Sequence, residues 1–233
     1  QPTQMTAKSD LLRIAKAPIS LYGILDTPCI EPDQFATYAD KLIKGGAGIL
    51  QIRAKHSNTA ERIRMAYAVL PVAQSASVPL IINDDLDAVL NVPGTGLHIG
   101  QDDMPPSEAR NRLGPNRIIG LSTHSREQAE QAEKLAEECI IDYFAIGPVF
   151  ATPTKPDYVP VTPDLVQWAV TRQFKAPCFF IGGITRNTLP IICDLGARRV
   201  VIVSALLKAA DPEAETRACL DLMASFDGNC PTS

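Results

Sequence analysis

Gln51, Arg53 and Lys55 alternate along one apolar segment, so a β-strand would turn all three side chains to the same face. Two cations and an amide on an inward face suit an anion. Left uncompensated they are costly to bury, so a carboxylate layer of structural salt bridges or a bound anion must accompany them. Asp84 and Asp103 close two successive apolar runs and can aim oxygens at one point, the carboxylate pattern that Mg²⁺ completes with water and substrate phosphates. Helix capping is the ordinary use of such acids. Gly182-Gly183 and Ser204 follow later apolar runs, where backbone N–H groups can hold a phosphate and where glycine also simply permits a tight turn. The stretch 152–157 sets Thr152 and Thr154 beside Lys155 between prolines, a composition that fits a phosphate-gripping loop as well as a plain surface loop. His98 lies inside an apolar run, either touching substrate or hydrogen-bonded in the core, and neither His56 nor His124 has metal-ligand spacing with it.

These residues need elements that bring them together. From position 19 the chain alternates short β-branched runs with longer amphipathic stretches, the pattern of parallel strands joined by helices. Strands are expected at 19–26, 48–55, 79–84, 96–101, 118–123, 143–149, 178–183 and 200–204. Helices are expected at 33–44, 59–75, 86–91, 106–113, 125–138, 162–170, 187–195 and 211–224. Ser125 precedes Gln128 in capping-box spacing, and Pro163 follows Thr162 at a helix entry. Eight strand–helix units predict an α/β fold, a closed (β/α)8 TIM barrel in a single domain over 19–225, with tails at 1–18 and 226–233. In such barrels the strands' C-terminal ends carry the chemistry, and that is where the polar residues above fall.

Composition narrows the function. The 233 residues, 45% hydrophobic and 21% charged, can bury a sizeable core. A formal charge of −4 without a basic stripe argues against nucleic acid, whereas a phosphorylated small molecule needs only a few local donors. The six cysteines include no C-x-x-C pair and read as reduced thiols, and no apolar run approaches a membrane span, so a cytoplasmic protein is expected. A symmetric homodimer is the prior for a soluble enzyme.

Taken in order, Gln51-Ile-Arg53-Ala-Lys55, Ile82-Asn83-Asp84, His98-Ile-Gly-Gln101-Asp102-Asp103, Gly120-Leu-Ser122-Thr-His124, Gly147-Pro-Val-Phe150, Thr152-Pro-Thr154-Lys155, Ile181-Gly-Gly183-Ile184 and Val203-Ser204-Ala205 resemble the motifs of the thiamine phosphate synthase family. The resemblance spans positions 19–212 and implies a transferase of thiamine biosynthesis that uses Mg²⁺. In that reaction 4-amino-2-methyl-5-hydroxymethylpyrimidine diphosphate loses pyrophosphate, and the nitrogen of 4-methyl-5-(2-phosphoethyl)thiazole attacks the freed methylene. By resemblance, Gln51, Arg53, Lys55, Asn83, His98, Ser122 and Lys155 bind the pyrimidine diphosphate, with Arg53, Lys55, Ser122 and Lys155 acting in catalysis. Asp84 and Asp103 would bind Mg²⁺, and Thr152, Thr154, Gly183, Val203 and Ser204 the thiazole phosphate.

Two positions depart from the family pattern. Ala54 replaces the usual glutamate, on the opposite face from Arg53 and Lys55, and the approach 91–98 is worded differently while keeping His98. The alternatives on the same barrel are a thiazole tautomerase-like isomerase and a non-catalytic barrel that binds thiazole phosphate. The isomerase should not need the full set of Arg53, Lys55, Asn83, Asp84, Asp103 and Lys155, whereas the non-catalytic barrel would have kept the pocket and is separated by Mg²⁺-dependent turnover.

Overall fold

The computed structural model describes residues 7–152, 157 and 159–227. Eight parallel strands, β1 (Ser20–Asp26), β2 (Ile49–Arg53), β3 (Leu80–Asn83), β4 (Thr95–Ile99), β5 (Ile119–Thr123), β6 (Tyr143–Ile146), β7 (Cys178–Ile181) and β8 (Arg199–Ile202), pair in sequence order. The barrel closes because β1 pairs with β8 as well as β2. Around it run α2 (Phe35–Gly45), α3 (Thr59–Ser75), α4 (Leu86–Asn91), α5 (Pro106–Leu113), α6 (Arg126–Glu137), α7 (Pro163–Thr171), α8 (Leu189–Asp194) and α10 (Pro212–Ser225). Two more helices, α1 (Ala7–Lys16) and the single turn α9 (Ser204–Leu207), stand outside the expected repeat. This is the single-domain (β/α)8 barrel expected from the alternation.

Strand parity divides the core. Tyr22, Ile24, Ile49, Ile81, Ile118, Tyr143, Phe179 and Val201 point inward and fill the barrel, while Leu21, Leu25, Leu50, Ile52, Leu80 and Ile82 point outward under the helices. Both faces are covered, which is why β1 is buried at every position and reads as a nearly continuous apolar run. The same parity carries Asp26 inward above Tyr22 and Ile24, and Gln51 and Arg53 inward above Ile49.

The N-terminal reading needs correction. Where a loose tail over 1–18 was expected, α1 lays Leu11 and Ile14 against the interior cluster at the N-terminal end of the strands, leaving them 4% and 7% exposed. Two apolar residues three apart form a stripe too short to register as periodic, yet sufficient to plug a barrel floor. Arg199 fastens the helix by donating to the Ala15 and Ala17 carbonyls at 2.6 and 3.2 Å, and Lys8 pairs with Asp142 at 2.8 Å. Residues 1–6 lie outside the described residues. At the other end Phe226 packs against the core and Asp227 pairs with Arg198 at 2.6 Å, so these two residues do not belong to the expected tail; residues 228–233 lie outside the described residues.

Several strands stop short of their expected ends because the polar residues there turn into loops. The strand expected at 200–204 ends at Ile202, and Ser204 opens α9 instead. At the start of α6, Ser125 accepts from the Gln128 amide at 3.2 Å, but Gln128 returns its bond to the His124 amide at 2.7 Å rather than to Ser125.

Candidate active site at the carboxyl mouth of the barrel

The C-terminal strand ends open into two adjoining cavities. A mouth cavity of about 660 Å³ is lined by Arg53, Lys55, Asn83, Asp84, Asp103 and Ser122, joined by Asp26 and Lys208. An inner cavity of about 290 Å³ takes Gln51, His98, Thr152, Gly183 and Val203. Asp26, Arg53, Asn83, Ser122, His124 and Ser204 face both. Every expected site residue within the described part of the chain therefore lines one continuous space. Thr154 and Lys155 lie outside the described residues.

The compensation required for the inward cation Arg53 is supplied by the protein. Asp26 and Arg53 are register partners on β1 and β2, and Arg53 Nη1 lies 2.9 Å from Asp26 Oδ1, with the aspartate only 1% exposed. Lys55 Nζ lies 3.7 Å from Asp84 Oδ2 in a more open position. Asp26 was not singled out in the sequence, although it has the inward parity of Tyr22 and ends its strand as Arg53 ends the next.

Asp84 and Asp85 show how neighbouring acids divide between site and scaffold. Asp85 caps α4, accepting from the Ala88 amide, Thr59 Oγ1 and Arg62 Nη1, each at 2.9 Å. Asp84 sits at φ +63°, a left-handed conformation that a non-glycine residue adopts only at an energetic cost. Its amide donates to the His98 carbonyl at 2.8 Å, which pins the turn. Burial, followed by the charge of Asp103 and a hydrogen bond shared with it, raises the Asp84 carboxyl, against the lowering pull of Lys55 and Arg53. Asp103 is held by the Gly100 amide at 2.6 Å.

Two converging carboxylates without a third ligand suit a hard cation that keeps waters and takes substrate oxygens, as Mg²⁺ does. Among the described residues, no group of three or more His, Cys, Asp or Glu forms an all-protein metal cage. The donor set therefore fits Mg²⁺ held jointly with a substrate. It does not fit a structural zinc.

The inner cavity has a polar floor. Gln51 Nε2 donates to Tyr22 Oη at 2.7 Å, Tyr22 Oη is 2.8 Å from Tyr143 Oη, and Tyr143 Oη is 2.9 Å from His98 Nδ1. His98 Nε2 is 2.8 Å from Ser122 Oγ. Burial raises both tyrosine hydroxyls above their ordinary value. His98 is thus both buried and part of the site. Neither tyrosine was singled out in the sequence, where each reads as core inside an apolar strand.

At the far wall Gly182 and Gly183 adopt φ +109° and +63°. A Cβ on Gly182 would come within 2.5 Å of Pro148, and one on Gly183 within 2.7 Å of the Ala151 carbonyl. The glycines make the tight turn and, together with Ser204 at the start of α9, also line the cavity. Val203, Ile181 and Ala145 supply its apolar wall.

Comparison with known proteins gives concordant results. A family model described as "Thiamine monophosphate synthase" matches residues 21–206. A thiamine-phosphate synthase of Syntrophomonas wolfei is 38% identical over 85% of this chain and 93% of its own. One from a Mycobacterium species (strain KMS) is 38% identical over 93% of this chain and 97% of its own. The solved structure of thiamine phosphate pyrophosphorylase from Pyrococcus furiosus superimposes with a TM-score of 0.77 at 26% identity, covering 92% of this chain and 98% of that one.

Proposed function

The chain belongs to the thiamine monophosphate synthase family, and on that premise we propose that it joins 4-amino-2-methyl-5-hydroxymethylpyrimidine diphosphate to 4-methyl-5-(2-phosphoethyl)thiazole, releasing pyrophosphate and thiamine phosphate. The observation that carries this reading is the single space shared by cations, paired carboxylates, a polar floor and a glycine turn. An isomerase acting on the thiazole phosphate alone would have no use for the mouth cavity.

The pyrimidine sits over Gln51 and His98, and its diphosphate extends past Asn83 and Ser122 toward Arg53 and Lys55. Asp84 and Asp103 would hold Mg²⁺, which would supply positive charge to offset that of the departing diphosphate. The C–O bond between methylene and diphosphate breaks, its electron pair leaves with pyrophosphate, and Arg53, Lys55 and Lys155 stabilise the growing negative charge. Asp26 keeps the Arg53 guanidinium in place for this task.

Thr152, Thr154, Gly183, Val203 and Ser204 hold the thiazole phosphate so that the ring nitrogen faces the methylene. Fixing the two reactants in this way converts a bimolecular step into a local one. The nitrogen donates the electron pair of the new C–N bond, so no side chain acts as nucleophile. Ile181, Ala145 and Val203 exclude water that would otherwise capture the cation. The proposal extends to a cytoplasmic enzyme working as a homodimer.

Incubating the protein with both substrates and Mg²⁺, then measuring thiamine phosphate and pyrophosphate, tests the reading. Equimolar products support it. A folded protein that binds the thiazole phosphate but forms no product would shift the assignment to the isomerase or the non-catalytic barrel.

A further inference from the structure

The chain of hydrogen bonds Gln51–Tyr22–Tyr143–His98–Ser122 crosses the barrel interior from β2 through β1, β6 and β4 to β5, in four steps of 2.7, 2.8, 2.9 and 2.8 Å. Gln51, Tyr22, Tyr143 and His98 are 2%, 1%, 0% and 7% exposed, so solvent has little room to interrupt it. The middle of the chain is also sterically fixed. A Cβ on Gly120 would lie 2.0 Å from the Tyr143 ring, so the residue beneath that ring must be glycine.

We propose that this chain is a polarity relay, in which the orientation of the Gln51 carboxamide at the pyrimidine end decides whether Ser122 donates or accepts at the diphosphate end. Tyr22 and Tyr143 are its positioning residues. The inference rests on the reading of Gln51 and Ser122 given under Proposed function.

The argument is one of counting protons. Each tyrosine hydroxyl has a single hydrogen and a relay partner on both sides, so within the relay each donates one way and accepts from the other. Gln51 Nε2 donates to Tyr22. Tyr22 then donates to Tyr143, Tyr143 donates to His98 Nδ1, and the neutral imidazole carries its hydrogen on Nε2. Nε2–H donates to Ser122 Oγ, which leaves the serine's own hydrogen for the mouth cavity that it lines with Arg53 and Lys55. Ser122 is thereby set as a donor toward an anion.

Turning the Gln51 amide over reverses every bond. The Ser122 hydrogen would then go to His98, and a lone pair would face the anion. With one N–H committed to Tyr22, Gln51 still offers one donor and its carbonyl oxygen, an edge that complements a ring nitrogen beside an exocyclic amine. Such an edge on the substrate holds Gln51 in the orientation that makes Ser122 a donor. Recognition at one end of the site sets the hydrogen-bonding role at the other.

Two measurements test this on the intact protein. With only three histidines in the chain, ¹⁵N-histidine NMR of the unliganded protein can resolve His98, identified by its absence in His98→Gln. The relay predicts hydrogen on Nε2 and a bare Nδ1. Tyr143→Phe should lose that pure tautomer signature and lower kcat roughly ten-fold while leaving KM for the thiazole phosphate unchanged. Tyr22→Phe should keep the tautomer, because Tyr143 can still donate, and lower kcat less. Hydrogen on Nδ1 in the wild type would overturn the relay, as would a folded Tyr143→Phe with unaltered spectrum and kcat. The spectrum needs no turnover, so it stands or falls separately from the proposed reaction.

Discussion

Arg53 and Asp26 face each other as register partners on adjoining strands, 2.9 Å apart, with their side chains 14% and 2% exposed. The pair anchors a cation that lines both cavities, and removing one member leaves a buried charge without its partner. Asp26→Ala is expected to destabilise the protein by about 3 kcal/mol. By letting the guanidinium drift, it should also lower kcat on the order of 100-fold. Urea denaturation and steady-state kinetics read the two effects.

The carboxylate pair predicts metal-linked stability. Mg²⁺ at a hundred times its Kd should stabilise the wild type by about 2.7 kcal/mol, visible as a rise in Tm. Asp84→Asn and Asp103→Asn should each abolish most of that rise. Asp85→Asn should not, because Asp85 is turned to the α4 cap. A full Mg²⁺ response in the Asp84 variant would contradict the site.

Asp85 also predicts an acid-limb effect. Burial alone would raise its carboxyl, but the Ala88 amide, Arg62 and Thr59 outweigh it and hold the group below its ordinary 3.8. A lowered folded value means that the ionised carboxylate contributes stability above 3.8 and loses it as pH falls through the lowered value. Asp85→Asn should therefore be about 2 kcal/mol less stable than wild type at pH 7. The difference should shrink toward zero in the acid limb, as read by urea titrations from neutral to strongly acidic pH.

Gly183→Ala should damage the thiazole side selectively. The added methyl would strain a residue at φ +63° and press on the Ala151 carbonyl. The expected result is a KM for the thiazole phosphate raised at least ten-fold, with the pyrimidine diphosphate bound as in wild type by calorimetry.

The N-terminal helix makes the opposite prediction. Leu11→Ala with Ile14→Ala empties the barrel floor, far from the mouth, and should cost roughly 3–5 kcal/mol with little change in either KM. A shift in KM without a loss of stability would mean that the floor communicates with the site.

Much of this architecture is legible in the sequence, for identifiable reasons. Strands covered on both faces give continuous β-branched runs, so the barrel repeat stands out. Alternation along 51–55 predicts one face for Gln51, Arg53 and Lys55, and β2 carries the first two inward while Lys55 lies beyond its end. Asp26 escaped notice because an acid ending an apolar run looks like an ordinary turn residue until its register partner is known. Tyr22 and Tyr143 escaped because an aromatic residue in a buried strand reads as packing, and only the closed barrel brings hydroxyls 121 positions apart to 2.8 Å. The helix α1 was missed because two apolar residues one turn apart are too few to announce a buried face.

The central claim is that the paired carboxylates and the cations of the mouth serve pyrophosphate departure. Its most direct test is thiamine phosphate formation from the two substrates by wild type and Asp84→Ala, each with Mg²⁺ and with the metal chelated. The account predicts product from wild type only when metal is present, and a loss of at least 100-fold in a folded Asp84→Ala. Product formed equally well without metal, or undiminished in the variant, would contradict it.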